Sequence, residues 1–152
     1  MLAVLLVVAG ACARQRSSQA SFKALPASGW HASLPLKWTP TPADSAGRYD
    51  VTLAVRHTGD YPFNNLRVAV DMIDSAHNVT RRNVDFTLAD RYGNWQGAGF
   101  GALYQASAVV AQDVPAHRLR QVVAWQAMSN CAVVKNVTEV GLIITPASPE
   151  EQ

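Results

Sequence analysis

The sequence predicts an all-β protein, an antiparallel two-sheet sandwich of the jelly-roll or immunoglobulin-like type. Roughly seven or eight segments alternate apolar and polar residues as strands do, at intervals of roughly 8 to 15 residues, with turn residues between them. No amphipathic helical pattern of about ten or more residues stands out. The 152 residues are 49% hydrophobic and 16% charged, a composition typical of one ordered domain around a single core.

The clearest strand pattern lies in 48–73. Alternate residues are mostly apolar in two runs: Tyr49, Val51, Leu53, Val55 and His57, then Leu66, Val68, Val70 and Met72. The stretch between them, 58–65, is rich in Gly, Asp, Pro and Asn, so we predict a β-hairpin closed by this loop. Its two aromatic residues, Tyr61 and Phe63, are predicted to fold back over one end of the core.

The other predicted strands are bounded by Gly, Pro, Asn or Asp. They cover 30–38, interrupted by Pro35, and then 79–89, 100–111, 119–128 and 137–145. The predicted loops between them are 39–47, 74–78 and 90–101. Glycines in the last of these loops are expected to mark bulges or close approaches of the backbone, since no helix start follows them to form a phosphate site.

The first residues indicate how the protein is anchored. Residues 1–11 form an apolar run that ends directly at Cys12 and reaches about half the length of a membrane span. With small residues before the cysteine, the run resembles a bacterial lipobox, in which the cysteine sulfur receives diacylglycerol. Ala9 stands where leucine is commoner, and no Lys or Arg precedes the run. A start codon further upstream explains the missing charge, and a buried strand with an incidental cysteine is the alternative.

This interpretation divides the chain into four parts. They are a signal peptide at 1–11, an acylated Cys12 with a flexible tether at 12–21, a β-sandwich at 22–146, and a disordered tail at 147–152. More than one acyl chain on Cys12 gives stable membrane anchoring without a spanning helix. Arg14 and Arg16 in the tether are placed to meet anionic headgroups.

Four segments carry a resemblance to a known family. They are RHT at 56–58, YPFNNL at 61–66, LADRYGNWQGAGFGALYQ at 88–105 and NVTEVGLII at 136–144. Their fixed order of aromatic, glycine and polar positions resembles the GldH family of gliding-motility lipoproteins. The resemblance covers about 22–145.

The resemblance implies an accessory lipoprotein of the gliding machinery and its associated protein secretion apparatus. Its partners would then be the membrane, through the lipid, and other gliding or secretion lipoproteins or envelope proteins. In bacteria that carry this family, lipoproteins exported to the surface usually show an acidic stretch after the cysteine. None follows Cys12, so the domain is expected on the periplasmic side of the outer membrane.

The sequence contains no recognisable catalytic or metal-binding motif. The four histidines, His31, His57, His77 and His117, form no HxH or HExxH pair, and there is no CxxC or GxSxG. Cys131 is the only other cysteine and is expected to be a small core or turn residue. A net charge of +2 with three lysines does not indicate nucleic-acid binding. We therefore expect no enzyme, no cofactor, no metal and no small-molecule substrate.

A partner-binding surface is predicted at the two distinctive loops. Aromatic and arginine side chains in loops often form the energetic centre of a protein interface. If the loops 58–65 and 90–101 lie at the same end, they bring candidates together. The candidates are Arg56, Tyr61, Asn65, Asp90 and Trp95. In the alternative interpretation, Asp90 and Asn65 bond loop amides while Trp95 and Tyr61 seal the core.

Two further functions are kept as alternatives. A carbohydrate-binding module would need two or three exposed, coplanar rings among Trp30, Trp38, Trp95 and Trp125. A hydrolase would need His57 beside a carboxylate, either Asp60 or Asp90, in a cleft.

Overall fold

The structure, a computed structural model, describes residues 17–148. Over that range it contains eleven strands and one short 3-10 helix, Ala116–Arg118. The strands are β1 Gln19–Ala24, β2 Trp30–His31, β3 Leu36–Trp38, β4 Arg48–Thr58, β5 Asn65–Ile73, β6 Val79–Thr87, β7 Ala98–Phe100, β8 Leu103–Pro115, β9 Gln121–Gln126, β10 Val133–Val134 and β11 Val137–Pro146. The predicted signal peptide, Cys12 and most of the predicted tail lie outside the described residues.

The strands form two main antiparallel sheets. One sheet has five strands in the order β1-β11-β4-β8-β7, and the other has four in the order β3-β9-β5-β6. A small third sheet pairs β10 with β2. The prediction of an antiparallel β-sandwich is therefore confirmed.

The core lies between the inner faces of the two main sheets. Strand β4 buries the row predicted from its alternation, and Val51, Leu53 and Val55 are all fully buried. Strand β5 of the opposite sheet contributes Leu66, Val68 and Val70, which are also fully buried. Each such side chain contributes roughly 1.5–3 kcal/mol when removed from water, so these facing rows supply much of the stability of the sandwich.

The predicted hairpin between β4 and β5 is wrong. Strand β4 pairs with β11 and β8, whereas β5 pairs with β6 and β9 in the other sheet. Residues 59–64 cross the gap of about 10 Å between the sheets instead of turning within one sheet. Alternation of apolar and polar residues indicates that one face of a strand is buried. It does not indicate which other strand pairs with that strand.

Several predicted boundaries also differ. Strand β1 was not predicted, and it begins at Gln19, so the end of the tether predicted at 12–21 belongs to the sheet. The broken strand at 30–38 is two strands in different sheets. Strand β8 extends beyond the predicted end at 111 and finishes at Pro115. A proline is tolerated there because the last residue of an edge strand needs no N–H for pairing.

Strand β9 places one row of side chains in the core and the other on the outer face of its sheet. Val122, Ala124 and Gln126 face the core, and Trp125 lies on the outer face with the Arg81 guanidinium 5.4 Å from the ring centroid. Gln126 is buried, and its side chain bonds the backbone at Cys131 and Met128. A buried amide with these bonds carries no large desolvation cost.

The register defines two ends of the sandwich. Gln19 lies opposite Ile144, Ile144 opposite Val51, and Val51 opposite Ala111. We call this the near end, because the chain enters the domain there. The loops 59–64 and 88–101 lie at the other end, the far end. Strand β4 alone, with 11 residues, spans roughly 35 Å between them.

Tyr49 fixes the loop before β4 at the near end. The side chain is buried, and its hydroxyl accepts a hydrogen bond from the Asp44 N–H at 2.9 Å and donates one to the Asp44 carbonyl at 3.1 Å. Gly47 lies against the ring, where a Cβ would come within 3.1 Å of it. One phenol thus satisfies two backbone groups of a loop that has no strand partner.

We expect Tyr49→Phe to lower the free energy of unfolding by about 1–3 kcal/mol, because two hydrogen bonds to the half-buried Asp44 backbone are lost. Tyr92→Phe is the matched control: Tyr92 is 73% exposed, and its change should stay within about 0.5 kcal/mol. Urea unfolding followed by tryptophan fluorescence measures both. Equal effects of the two variants would contradict this role of Tyr49.

Candidate functional site

The two distinctive loops meet at the far end. The Asn64 carbonyl accepts hydrogen bonds from the N–H groups of Leu88 at 2.8 Å and Ala89 at 3.0 Å. Ala89 also forms an isolated β-bridge with Trp95. The condition for a shared surface, that both loops lie at one end, is therefore met.

Four rings from these loops and their strands form an aromatic cluster, which we define as His57, Tyr61, Trp95 and Tyr104. The ring centroid of His57 lies 4.7 Å from that of Trp95, 5.5 Å from that of Tyr61 and 5.6 Å from that of Tyr104. The tilted and offset arrangements are those that aromatic pairs prefer. The cluster closes the far end of the core, as predicted for Tyr61.

His57 is the polar group at the centre of this cluster. It is fully buried, and its Nδ1 lies 2.9 Å from the Thr58 carbonyl oxygen, so Nδ1 carries the proton. Its Nε2 is the one buried side-chain nitrogen or oxygen without a hydrogen bond within the described part of the chain. Burial lowers the pKa of His57, and the bond to Thr58 only partly opposes this shift. The ring is therefore neutral at pH 7.

Tyr61 ties the cluster to the start of β5. It is buried, and its hydroxyl donates a hydrogen bond of 2.8 Å to the Asn65 carbonyl. Burial raises the pKa of Tyr61, so the phenol stays protonated. Asn65 contributes its backbone here and exposes its side chain.

Asp90 shapes the second loop. Its carboxylate accepts hydrogen bonds from the N–H groups of Tyr92 at 2.8 Å and Asn94 at 2.9 Å, and from the Asn94 side chain at 3.1 Å. The bonds from Asn94 and Tyr92 lower the pKa of Asp90. In the same loop, a Cβ on Gly97 would lie 2.1 Å from the Gln105 carbonyl oxygen, and φ is +88°. The expected close backbone approach is therefore found at Gly97.

Arg56 lies apart from the other candidates. It is on the outer face of β4, where it bonds Glu139 and Gln105, each at 2.9 Å. Its guanidinium stacks 4.0 Å from the ring centroid of Phe22, which in turn lies over Gly141. Neighbouring strand residues have opposite faces, so Arg56 and His57 point to opposite sides of the sheet. The structure thus brings together four of the five candidates.

The prediction that Phe63 folds back over the core with Tyr61 is wrong, and the exposed ring of Tyr92 was missed by the sequence reasoning. Tyr92 is 73% exposed and Phe63 is 38% exposed, and the Arg91 guanidinium lies 4.7 Å from the Tyr92 ring centroid. Phe63 packs edge-on against Tyr61 at 5.8 Å. The signal was present, since both aromatic residues lie in loops, but a sequence does not tell which ring seals a core and which faces solvent.

The structure lacks the features that a carbohydrate-binding module or a hydrolase would need among the described residues. All four tryptophans lie within the described residues and none is exposed: Trp30 and Trp38 are buried, and Trp95 and Trp125 are half-buried. They offer no exposed, coplanar platform for a sugar. His57 makes no hydrogen bond to Asp60 or Asp90, and the described residues contain no group of three His, Cys, Asp or Glu able to hold a metal ion.

Fold and site together define a class: a β-sandwich whose far end is closed by an aromatic cluster beneath two tightly bonded loops. The comparisons with known proteins then supply the family. The model of the GldH lipoprotein family matches residues 18–144, and the chain belongs to this family. GldH lipoproteins are not known as enzymes. Membership indicates a membrane-anchored protein of the cell envelope.

The remaining comparisons add little. No curated protein matches the sequence. Among solved structures, the tobacco streak virus coat protein is 10% identical, with 88% of this chain and 89% of that chain covered and a TM-score of 0.34. The VP2 subviral particle of infectious bursal disease virus is 9% identical, with 85% of this chain and 33% of that chain covered and a TM-score of 0.37.

Burial of His57 predicts that stability falls as the pH falls. An unfolded histidine takes up a proton near pH 6.5, whereas His57 in the fold does so only at lower pH. The free energy of unfolding should therefore fall below about pH 6.5, by at most about 1.4 kcal/mol per pH unit from this residue, until the lowered pKa is reached. His57→Phe keeps a ring and should remove this part of the slope.

The measurement is urea unfolding at pH 7.5, 6.5 and 5.5. The control is His77→Asn, because His77 is exposed and has a φ of 65° that Asn tolerates. This variant should keep the wild-type slope. An unchanged slope in His57→Phe would mean that His57 does not resist protonation.

Proposed function

We propose that this protein is a non-catalytic, lipid-anchored accessory component of the gliding-motility and associated protein secretion machinery. Its place is the periplasmic side of the outer membrane, where it supports the assembly or stability of other envelope proteins. Family membership supports the association with gliding motility. The observation that carries the proposal is the placement of the chain entry and the aromatic loops at opposite ends of one sandwich.

The near end supports anchoring through Cys12. From Cys12 to Gln19 the chain has about seven residues, which reach at most about 25 Å when extended. Within the described residues no helix is long and apolar enough to span a membrane. A short lipidated tether then holds the near end close to the bilayer and directs the far end into the periplasm.

The far end supports contact with a partner protein. We define the far-end patch as Phe63, Arg91 and Tyr92, which are exposed on the two loops of the far end. Exposed aromatic and arginine side chains are the residues that most often dominate interface energetics. Phe63 and Tyr92 on two joined loops would give a partner protein two aromatic contacts at the same end of the sandwich.

The loops beneath the patch are preorganised. Asn64 bonds two N–H groups of the second loop, and Asp90 bonds two more within it. Because these backbones are already ordered, a partner that binds the patch loses little entropy in fixing them. This arrangement suits a protein whose function is to hold another one in place.

Cys12→Ser should move the protein from the membrane fraction to the soluble periplasmic fraction, because the acyl chains are lost with the sulfur. Immunoblots of fractionated cells measure the shift, and mass spectrometry of the wild-type N-terminus provides the positive control. Cys131→Ser should leave the protein in the membrane fraction. Retention of Cys12→Ser in the membrane would contradict acylation at this residue.

Replacing Phe63 and Tyr92 together with Ser should reduce crosslinking to the partner at least about ten-fold, because interface aromatics of this kind often contribute 2 kcal/mol or more. The matched control is Val79→Ser, since Val79 is 55% exposed and lies at the near end. The assay is crosslinking and pull-down from native cells, followed by complementation of a deletion strain. The proposal fails if deletion of the gene leaves motility, secretion and companion lipoproteins unchanged.

A further inference from the structure

A cleft lies at the near end, between the edges of the two sheets. Strand β6 is an outer strand of the four-stranded sheet, and β8 is an outer strand of the other sheet beyond the short β7. Residues of both strands line a cleft of about 340 Å³, which we call the arginine cleft. Its lining includes Arg48, Arg82 and Arg118, with Asp113 as the one carboxylate.

Two of the three guanidiniums in this cleft have no acidic partner among the described residues. Arg48 bonds Asp113 through Nε and Nη2 at 2.6 Å, so that pair is neutral. Arg82 donates one hydrogen bond of 3.2 Å to the Arg81 carbonyl, and Arg118 makes no ion pair. Both side chains are exposed and available to an anion.

Asp74 is the nearest competing charge. It lines a smaller adjoining cleft together with Arg118. Its carboxylate already accepts hydrogen bonds from the N–H groups of Ala76 and Asn78, each at 2.8 Å, and from the Asn78 side chain at 3.0 Å. With Asp74 and Asp113 both counted against three arginines, the two clefts together keep one excess positive charge.

The cleft also has an apolar floor. Met72 is 5% exposed and Val114 is 8% exposed, and both line the cleft. Arg82 stands on the same inward row of β6 as Val84 and Phe86, so it points toward the opposite sheet across the open edge. Arginines at the mouth and apolar side chains at the base fit a ligand that joins an anionic oxygen group to a hydrocarbon part.

From this arrangement we propose that the arginine cleft binds the phosphate of an anionic phospholipid headgroup and seats the near end on the membrane. Guanidinium groups match phosphate oxygens in paired hydrogen bonds, and the Thr80 hydroxyl in the cleft is a further donor. The glycerol part of the lipid would then lie on Met72 and Val114.

The position of the cleft favours a membrane lipid over a soluble phosphate. Ala111 of the cleft lies in the same row of the sheet as Gln19, about three strand spacings or roughly 14 Å away. The tether therefore keeps the cleft within reach of headgroups at high local concentration. This inference rests on the proposed lipid anchor, but the test below uses a chain without acyl groups, so the two can fail separately.

The test measures binding of the mature chain, starting at residue 12 and carrying Cys12→Ser, to vesicles. Phosphatidylglycerol and phosphatidylcholine vesicles are compared by co-sedimentation at low and at physiological salt. We expect binding to phosphatidylglycerol only. Each arginine near an anionic surface is worth about five-fold in affinity, so Arg82→Gln with Arg118→Gln should weaken binding roughly 25-fold.

The matched control removes two exposed positive charges at the far end that lie outside the far-end patch, Arg67→Gln with Lys135→Gln. It should weaken binding less than about two-fold if the cleft, rather than net charge, is recognised. Equal losses in the two double variants would overturn the proposal. So would glycerol phosphate binding that depends on both arginines without vesicle binding. Vesicle binding that appears only after removal of residues 149–152 would also overturn it. The arginines of the intact chain would then be neutralised by Glu150 and Glu151 and would not bind lipid phosphate.

Discussion

The structure depends on one contact, the packing of the inner row of β4 against the inner row of β5 across the sandwich. Both rows are fully buried, and each strand is central in its own sheet. The strands beside them take their positions from these two, since β11 and β8 flank the first while β9 and β6 flank the second. The crossing loop 59–64 must therefore bridge the two sheets, and this requirement places Tyr61 over the end of the core.

The length of β4 separates two surfaces with different chemistry. The near end receives the chain at Gln19, and its arginine cleft holds Arg82 and Arg118, which have no acidic partner among the described residues, above an apolar floor. The far end carries exposed aromatic residues on preorganised loops. A rigid sheet cannot bend to bring these ends together, so a molecule anchored at one end holds the other at a fixed height. The proposed role in an envelope assembly depends on that geometry.

His57 is the feature that stability alone explains least. Its ring fills the centre of the aromatic cluster. Its Nε2 is fully buried and has no hydrogen-bond partner among the described residues. Such a group costs free energy that a phenylalanine would not. The bond from Nδ1 to Thr58 fixes the ring orientation and the tautomer, so the histidine orders the end of β4 where the first loop departs.

The sequence by itself determined the fold class, the buried rows of β4 and β5, the family resemblance and the loops that matter, because alternation and turn chemistry are local properties. It did not determine that β4 and β5 belong to different sheets, that Arg56 faces away from Tyr61 and Trp95, or that Phe63 and Tyr92 are the exposed rings. Nor did it bring Arg82 and Arg118 to one cleft. These facts depend on which strands become neighbours, and pairing between residues far apart in the chain leaves no mark on the local pattern of either strand.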